Sequence, residues 1–219
     1  MPRWRIEHRC GDVGAFHTRD LPTDERVATF FVAPSAALVL GSSQHDDSVD
    51  IAEAQRRGIE IVKRTSGGGG VLLLPDEYVW LDLEIPATDE LWSDDVGRAM
   101  WWVGEMWSAA LRDLEPGATV HRSRMIRTRW SGDVCFAGVG PGELMIDGAK
   151  VVGISQRRTR DAARFQTMVH RRWRPDVVSS LVAAKPNVDE LAPLVHECPA
   201  SADHIVERLV AALGRPSVP

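Results

Sequence analysis

The residues best suited to chemistry in this sequence surround four consecutive glycines, Gly67–Gly70. Apolar runs on both sides, residues 59–62 and 71–74, predict a loop that joins two strands. Glycines in such a loop allow positive φ angles and let several backbone N–H groups point at one spot, a geometry that binds phosphate or carboxylate. A flexible loop or a barrel-like corner, without a ligand, is the alternative interpretation of a glycine cluster.

Two familiar phosphate-binding loops do not match this stretch. A Walker A loop ends in Gly-Lys-Ser/Thr and continues as a helix, whereas this chain continues as the apolar run 71–74. A dinucleotide fingerprint needs a further glycine where Leu72 stands. The sequence therefore predicts an anion site in a strand–glycine loop–strand unit.

A second stretch, residues 147–156, is centred on Lys150. Lys150 is one of only three lysines among 26 basic residues, which indicates that an ammonium is wanted where arginine is otherwise the usual cation. Asp147-Gly148 lies between the strand-like runs 143–146 and 150–154 and predicts a tight hairpin. A solvated hairpin residue is the alternative interpretation of Lys150.

Taken together, the two stretches resemble the lipoate–protein ligase A and octanoyltransferase family, in the biotin/lipoyl protein ligase superfamily. That family carries a basic pair, then x-Ser/Thr, a glycine cluster, Val, one residue and His, and later Gly-x-Lys-Ile/Val-x-Gly-x-Ser/Ala-Gln. The resemblance covers roughly residues 37–170. The matching residues are Lys63, Arg64, Ser66, Gly67–Gly70 and Val71 in the first motif, Gly148, Lys150, Val151, Gly153, Ser155 and Gln156 in the second, and Gly41 and Gln44 in the family's strand-end Gly-x-x-Gln.

The resemblance implies an enzyme that attaches lipoyl or octanoyl groups to a lysine of a lipoyl domain, in 2-oxoacid dehydrogenase complexes or the glycine cleavage H protein. ATP and Mg²⁺ first convert lipoate to lipoyl-adenylate, and the lysine at the position of Lys150 contacts the activated carboxyl and phosphate. No metal ligands are expected from the chain itself. The residues implied to bind substrate or nucleotide are Arg64, Ser66, Gly67, Gly68, Gly69, Gly70, Gly153 and Ser155.

Cys135 opens a second route to the same product. It stands in Val-Cys-Phe, fifteen residues before Lys150, where the octanoyltransferase branch carries a nucleophile that takes octanoate from octanoyl-acyl carrier protein without ATP. A thiolate is a good nucleophile when a cation such as Lys150 lies nearby. A small buried hydrophobic residue in a strand is the alternative interpretation of Cys135.

Leu73 stands where the family motif carries His, and residues 31–35 lack the family's usual Arg and Trp. The first departure puts substrate orientation, or activity itself, in question. A third hypothesis is therefore a relative that binds an acyl or nucleotide ligand without catalysis. Lys150 argues against it, because a pure binding module has less reason to keep that lysine.

The elements that must position these residues predict an α+β fold, with a mixed, largely antiparallel sheet and flanking helices. Residues 1–36 are expected to be irregular apart from a short strand or helix at 26–32. The alternation over residues 78–85 predicts a half-buried antiparallel strand. Other strands are expected at 37–40, 59–62, 71–74, 118–122, 134–137, 143–146, 150–154 and 164–170, and helices at 46–57, 175–182, 189–195 and 201–213.

A further helix is expected to begin after Ser93, its N-cap, and to run to about residue 114. A length of 219 residues with 44% apolar content predicts one catalytic domain, residues 1–183, with a short helical tail, 184–219, packed on it.

Composition excludes several classes of function. A net charge of −5 argues against a general nucleic-acid binder, and no apolar run is long enough for a membrane helix. Without a signal-peptide pattern, and with three scattered cysteines that form no disulfide framework or metal spacing, a cytoplasmic protein is expected. Runs of arginine at 122–129, 157–164 and 171–174 fit either solvated faces or a surface for a nucleotide or an acidic partner.

Overall fold

The computed structural model describes residues 3–214, which form ten strands and six α-helices joined by loops and short 3₁₀-helices. The strands are β1 (Trp4–Cys10), β2 (Arg26–Val32), β3 (Ala37–Leu40), β4 (Glu60–Lys63), β5 (Val71–Leu73), β6 (Tyr78–Pro86), β7 (Thr119–Val120), β8 (Leu144–Ile146), β9 (Ala149–Arg158) and β10 (Ala162–His170). The helices are α1 (Val13–Thr18), α2 (Ile51–Arg56), α3 (Trp101–Leu111), α4 (Pro175–Leu181), α5 (Val188–Leu191) and α6 (Ala202–Leu213).

Two sheets organise the chain. The larger has seven strands in the order β1-β2-β6-β10-β9-β8-β7, antiparallel throughout except for the parallel pair β1/β2. The smaller has the order β4-β3-β5, with β3 parallel to β4 and antiparallel to β5. The predicted α+β fold with a mixed, largely antiparallel sheet and flanking helices is confirmed.

The predicted strand at residues 78–85 is antiparallel as expected, but it is buried on both faces rather than half-buried. One face, with Leu81 and Leu83, belongs to the same hydrophobic cluster as residues of α3 and α6. On the other face, Asp82 and Glu84 are also buried. The alternating pattern shows which side chains of the strand are polar and which are apolar. It does not show that the polar ones are buried, because their partners lie elsewhere in the chain.

Those partners are arginines. Nη2 of Arg19, just after α1, and Nε of Arg164 on β10 each lie 2.7 Å from Glu84 Oε1, and Arg19 Nη1 is 3.2 Å from Asp82 Oδ2. Paired and hydrogen-bonded opposite charges can be buried where lone charges cannot. Arg164 therefore belongs to the interior and not to the solvated or partner-binding face that its arginine run suggested.

The amino-terminal region is more regular than the sequence indicates. Strand β1 and helix α1 form within residues 1–36, where only a segment at 26–32 was expected to be regular; that segment is β2. Asp12 caps α1, its side chain accepting a hydrogen bond from Ala15 N at 2.6 Å. A short helix next to an exposed edge strand gives little hydrophobic periodicity, which explains why the pattern was missed.

Two other predictions need correction. The helix expected after Ser93 begins later, with a 3₁₀ turn at Arg98–Met100 followed by α3, and Asp95 accepts from Gly97 N and Arg98 N at its start. The strand expected at 134–137 is a 3₁₀-helix, Cys135–Ala137. The predicted Ser201 cap and the Gly214 end of α6 are confirmed.

The segment after residue 183 lies against the rest of the molecule. The backbone N–H of His196 donates to the carbonyl of Lys150 at 2.9 Å, and that of Cys198 donates to His170 O at 2.9 Å. Ile205 and Leu209 of α6 are fully buried in the cluster shared with α3. The domain boundary at 183/184 itself stays a prediction. Within residues 3–214, no helix has the length and apolar character needed to cross a membrane.

The buried His170 should make stability depend on pH. Burial, and next the ammonium of Lys150, lower its pKa from 6.5 to about 3. Between those values the unfolded chain binds a proton that the folded chain does not, so stability falls as pH drops below about 6.5. Replacing His170 with Leu should flatten this dependence at about pH 5 by roughly 1.4 kcal/mol per pH unit in urea unfolding series.

The sign of this pH dependence distinguishes His170 from Asp82, which changes stability in the opposite direction. Burial raises the pKa of its carboxyl from 3.8 to about 6, so its contribution to stability grows as pH falls through that interval. An Asp82→Asn control should therefore make the loss of stability in acid steeper. An unchanged slope in His170→Leu would contradict a neutral, buried imidazole.

Candidate active site

A cavity lies where the smaller sheet faces the larger one. Its walls are mostly apolar, and they come from both sheets and from the 3₁₀-helix: Val39, Val71, Leu73, Trp80, Phe136 and Met168. Six polar residues share the same cavity: His17, Arg64, Cys135, Ser155, Gln166 and Thr167. An apolar cavity with a few convergent polar groups is the usual form of a small-molecule site.

The glycine loop between β4 and β5 is held against the chain by close backbone packing. A Cβ on Gly41 would lie 1.8 Å from the carbonyl oxygen of Gly68, and one on Gly69 would lie 2.6 Å from Val134 N. Gly68 also has φ +101°, which disfavours other residues. These positions need glycine for close approach and for conformation, so the flexible-loop interpretation does not fit them.

Arg64 braces this loop from within. Its Nη2 donates to the carbonyls of Gly67 and Gly69 at 2.8 and 3.0 Å, and the side chain is almost fully buried. Gln44 supports the other side, accepting from Gly41 N at 2.9 Å and donating to Asp133 O at 3.2 Å. The loop is thus fixed before any ligand binds.

The loop leaves donors free. Gly70 N donates to Asp133 O at 2.8 Å, whereas the N–H groups of Gly67, Gly68 and Gly69 make no hydrogen bond to any residue in the described range 3–214. Consecutive free N–H groups beside a buried guanidinium favour an anion. The loop therefore has the donors that the predicted anion site needs, and the anion site itself stays a prediction.

The two sequence motifs meet in space. Ser66 Oγ and Ser155 Oγ are 3.1 Å apart, which joins the glycine loop to β9 of the larger sheet. A Cβ on Gly153 would lie 3.0 Å from the ring of Phe136, so glycine lets the aromatic ring pack on the strand. Asp147 and Gly148, both at positive φ, form the predicted hairpin turn between β8 and β9.

Cys135 stands at the entrance to the 3₁₀-helix, half-buried, with its side chain in the cavity wall. Its backbone pairs with the glycine loop, Cys135 N donating to Gly70 O at 3.0 Å. The cation that contacts its sulfur is Arg64, with Nη2 3.9 Å from Sγ, and not Lys150 as the sequence suggested. The thiol is therefore placed where an acyl group in the cavity could reach it.

Lys150 does not line the cavity. Its ammonium is fully buried behind Phe136 and binds Glu143, with Nζ 2.9 Å from Oε1 and 2.8 Å from Oε2, and it donates to Cys135 O at 2.8 Å. The solvated-hairpin interpretation of Lys150 is wrong, because the side chain points inward. In this structure the lysine supports the segment that carries Cys135.

Two residues near the site carry no recognisable pattern in the sequence. Glu143 pairs with Lys150 and also accepts hydrogen bonds from Gly140 N at 2.5 Å and Ile154 N at 2.9 Å. In the sequence it is a single acidic residue next to a strand, which does not indicate that it holds a buried lysine. His17 reaches the cavity from α1, in a region expected to be irregular. Leu73, in place of the family His, is buried in the same cavity wall.

Solved structures share this architecture. A bipartite lipoate protein ligase from Thermoplasma acidophilum, described with its E2 lipoyl domain, matches with a TM-score of 0.75 and 14% identity over 97% of this chain and 82% of its own. Protein Ta0514 of T. acidophilum with bound lipoic acid, and a lipoate-protein ligase A bound with ATP, each match with a TM-score of 0.72 and 16% identity, over 96% of this chain and 83% of theirs.

Sequence comparison adds the family. Among curated proteins, none matches the chain. The model of the family described as "Lipoyl protein ligase A/B catalytic domain" matches residues 15–212, which include both motifs, the cavity and most of the segment after residue 183. The chain belongs to the lipoyl protein ligase A/B catalytic domain family.

Proposed function

We propose that this protein attaches a lipoyl group, or the related octanoyl group, to a lysine of a lipoyl domain through an acyl-adenylate. The observation that carries the proposal is the apolar cavity lined by Arg64, whose guanidinium also holds the glycine loop with its three free N–H groups at Gly67–Gly69. An acyl-adenylate joins an apolar chain to an anionic phosphate, and this site offers a matching surface to each part.

In this proposal, the cavity holds the acyl chain while the glycine loop and Arg64 face the carboxyl group and the phosphate. The guanidinium of Arg64 is already fixed by the loop carbonyls, so binding an anion there costs little reorganisation. The carboxylate of lipoate displaces pyrophosphate from ATP, and the acceptor amine then displaces AMP. The phosphate oxygens of bound ATP would hold Mg²⁺, which would offset their negative charge.

Lys150 has a proposed role in the same chemistry. Its ammonium lies on the far side of Phe136, 5.2 Å from the ring centre, and already has three acceptor contacts. To contact an activated carboxyl it must exchange one of them, and the carbonyl of Cys135 is the neutral one. Until then, Lys150 keeps the Cys135 segment in place beside the cavity.

The similar proteins support these choices of ligand and partner. One carries lipoic acid, one carries ATP, and one is described together with an E2 lipoyl domain. We infer corresponding acceptors here, the lipoyl domains of 2-oxoacid dehydrogenase complexes or the glycine cleavage H protein, and a cytoplasmic setting for the reaction.

The test is the intact mass of a purified lipoyl domain after incubation with this protein, lipoate, ATP and Mg²⁺. We expect a lipoyl adduct on the acceptor that needs ATP, together with lipoate-dependent exchange of pyrophosphate into ATP. A Cys135→Ser variant should keep both activities. An adduct without ATP, or no adduct on any acceptor, would contradict the adenylate route.

A second candidate function has a specific observation in its favour. Cys135 Sγ lies in the cavity wall, 3.9 Å from Arg64 Nη2, where it could accept an octanoyl group from octanoyl-acyl carrier protein as a thioester. In that reaction the sulfur bonds to the acyl carbon, the carrier thiol leaves with the proton, and the acceptor lysine later displaces Cys135.

The two routes are separable by the intact mass of this protein itself. Incubation with octanoyl-acyl carrier protein in the absence of ATP should give an octanoyl adduct that hydroxylamine removes, if Cys135 is the nucleophile. The Cys135→Ser variant is the matched control and should carry no such hydroxylamine-sensitive adduct. Failure of the wild-type protein to form it would leave Cys135 as a wall residue.

A further inference from the structure

His17 is a buried polar residue that neither proposed route uses. It lies on α1, is 2% exposed, and forms part of the cavity wall. Its ring lies 5.1 Å from that of Trp80, on β6. Burial, and next Arg64, lower its pKa to about 3, so the imidazole is neutral.

The hydrogen bonds of Gln166 decide which nitrogen of His17 carries the proton. Gln166 Nε2 lies 3.3 Å from Asp82 Oδ2 and 3.1 Å from His17 Nδ1. A carboxylate only accepts hydrogen bonds, so the amide nitrogen faces Asp82 and donates to both neighbours. Nδ1 is then the acceptor, and the proton of the neutral ring is on Nε2.

This leaves a buried donor to be satisfied. Within residues 3–214, His17 Nε2 has no hydrogen-bond partner. An unpaired buried N–H carries the full cost of its lost hydration, so such groups in native proteins usually have a partner when the protein is at work. The cavity in whose wall His17 stands is the place from which a partner could come.

The position of His17 in the cavity tells which part of a ligand it meets. The glycine loop and Phe136 lie over β9, through the Ser66–Ser155 contact and the packing of Phe136 on Gly153. His17 instead contacts β10 through Gln166 and β6 through Trp80. Two strand spacings separate β9 from β6, a distance of about 10 Å, which suits an extended acyl chain of medium length.

We propose that His17 is a specificity-determining residue whose Nε2–H donates to an acceptor atom in the distal part of the acyl group. The cavity therefore favours a chain that ends in sulfur, as lipoate does, over a plain hydrocarbon chain such as octanoate. Sulfur is a weak acceptor, but a methylene group is none, so octanoate leaves the buried donor unpaired. This inference rests on the proposed binding of an acyl chain in the cavity.

The test is the affinity of the two free acids, measured by calorimetry without ATP or acceptor. We expect wild-type protein to bind lipoate more tightly than octanoate by on the order of tenfold, and His17→Phe to bring the ratio near one. His17→Gln, which keeps an N–H donor, should retain part of the preference. His8→Phe, the same kind of change at an exposed position of β1 that does not line the cavity, should leave the ratio unchanged.

The outcomes separate this inference from the proposed function. Ligation of lipoate with an unchanged affinity ratio in His17→Phe would overturn the inference and leave the function standing. A preference for lipoate that depends on His17, without any ligation, would support the inference and overturn the proposed function. Equal affinity of the wild-type protein for both acids would also overturn the inference. Unfolding midpoints of all variants show that each affinity belongs to a folded protein.

Discussion

Replacing Lys150 with Met should destabilise the protein by roughly 3–5 kcal/mol, in addition to any effect on activity. The substitution removes the ammonium that pairs with Glu143, and within residues 3–214 it leaves that buried carboxylate with the N–H groups of Gly140 and Ile154 alone. It also removes the donor to the carbonyl of Cys135. An inactive Lys150 variant alone therefore proves nothing about chemistry.

The double variant Lys150→Met, Glu143→Gln separates the two effects. The neutral amide removes the uncompensated buried charge and keeps an acceptor oxygen for one of the two N–H groups that Glu143 holds, so part of the loss should be recovered in urea unfolding. If Lys150 acts on the activated acyl group, the double variant stays inactive in the lipoyl-domain mass assay even though part of its stability is recovered. Recovery of activity together with stability would reduce Lys150 to a structural role.

Gly41→Ala should lower activity on the order of a hundredfold, because it displaces the glycine loop from the cavity. A Cβ there would meet the carbonyl oxygen of Gly68 at 1.8 Å and its carbon at 2.9 Å, both of them backbone atoms. Moving Gly68 also moves the carbonyls that hold Arg64. The same assay and the lipoate-dependent pyrophosphate exchange measure the loss.

Gly67→Ala is the matched control, within the same loop. A Cβ on Gly67 would have no heavy atom within 4 Å, and Gly67 is not among the glycines at positive φ. This variant should keep its stability and most of its activity. Equal losses in both variants would mean that the loop needs glycine for flexibility, and not for the close approach to Gly41.

The strands around the site were predictable, because each one leaves a local pattern. Strands β3, β4 and β5 and the hairpin between β8 and β9 follow from short apolar runs bounded by Gly and Asp-Gly. The 3₁₀-helix at Cys135–Ala137 was not predictable, because the sequence Val-Cys-Phe-Ala is equally suited to a strand. Its geometry is set by Lys150 and by the backbone of Gly70, from distant parts of the chain.

The same distinction applies to the candidate site. From residue types and order, the sequence predicted that Arg64 and Ser155 belong to one site with Gly67–Gly70; the structure brings these residues together, and their role in binding stays a prediction. It could not show that Lys150 turns inward, because that depends on Glu143, seven residues earlier along the chain and across a hairpin. Nor could it bring His17 to the cavity, since no local pattern places α1 beside β10.

The cavity has walls from both sheets, so a bound ligand holds the two sheets together. A ligand that touches both walls binds only while the sheets are together, so it stabilises the folded chain by about 2.7 kcal/mol at a concentration one hundred times its dissociation constant. Opening of the molecule between the sheets then becomes about a hundredfold rarer. Proteases that cleave the opened chain therefore act more slowly. The lifetime of the protein is thereby tied to the supply of the molecule that it binds.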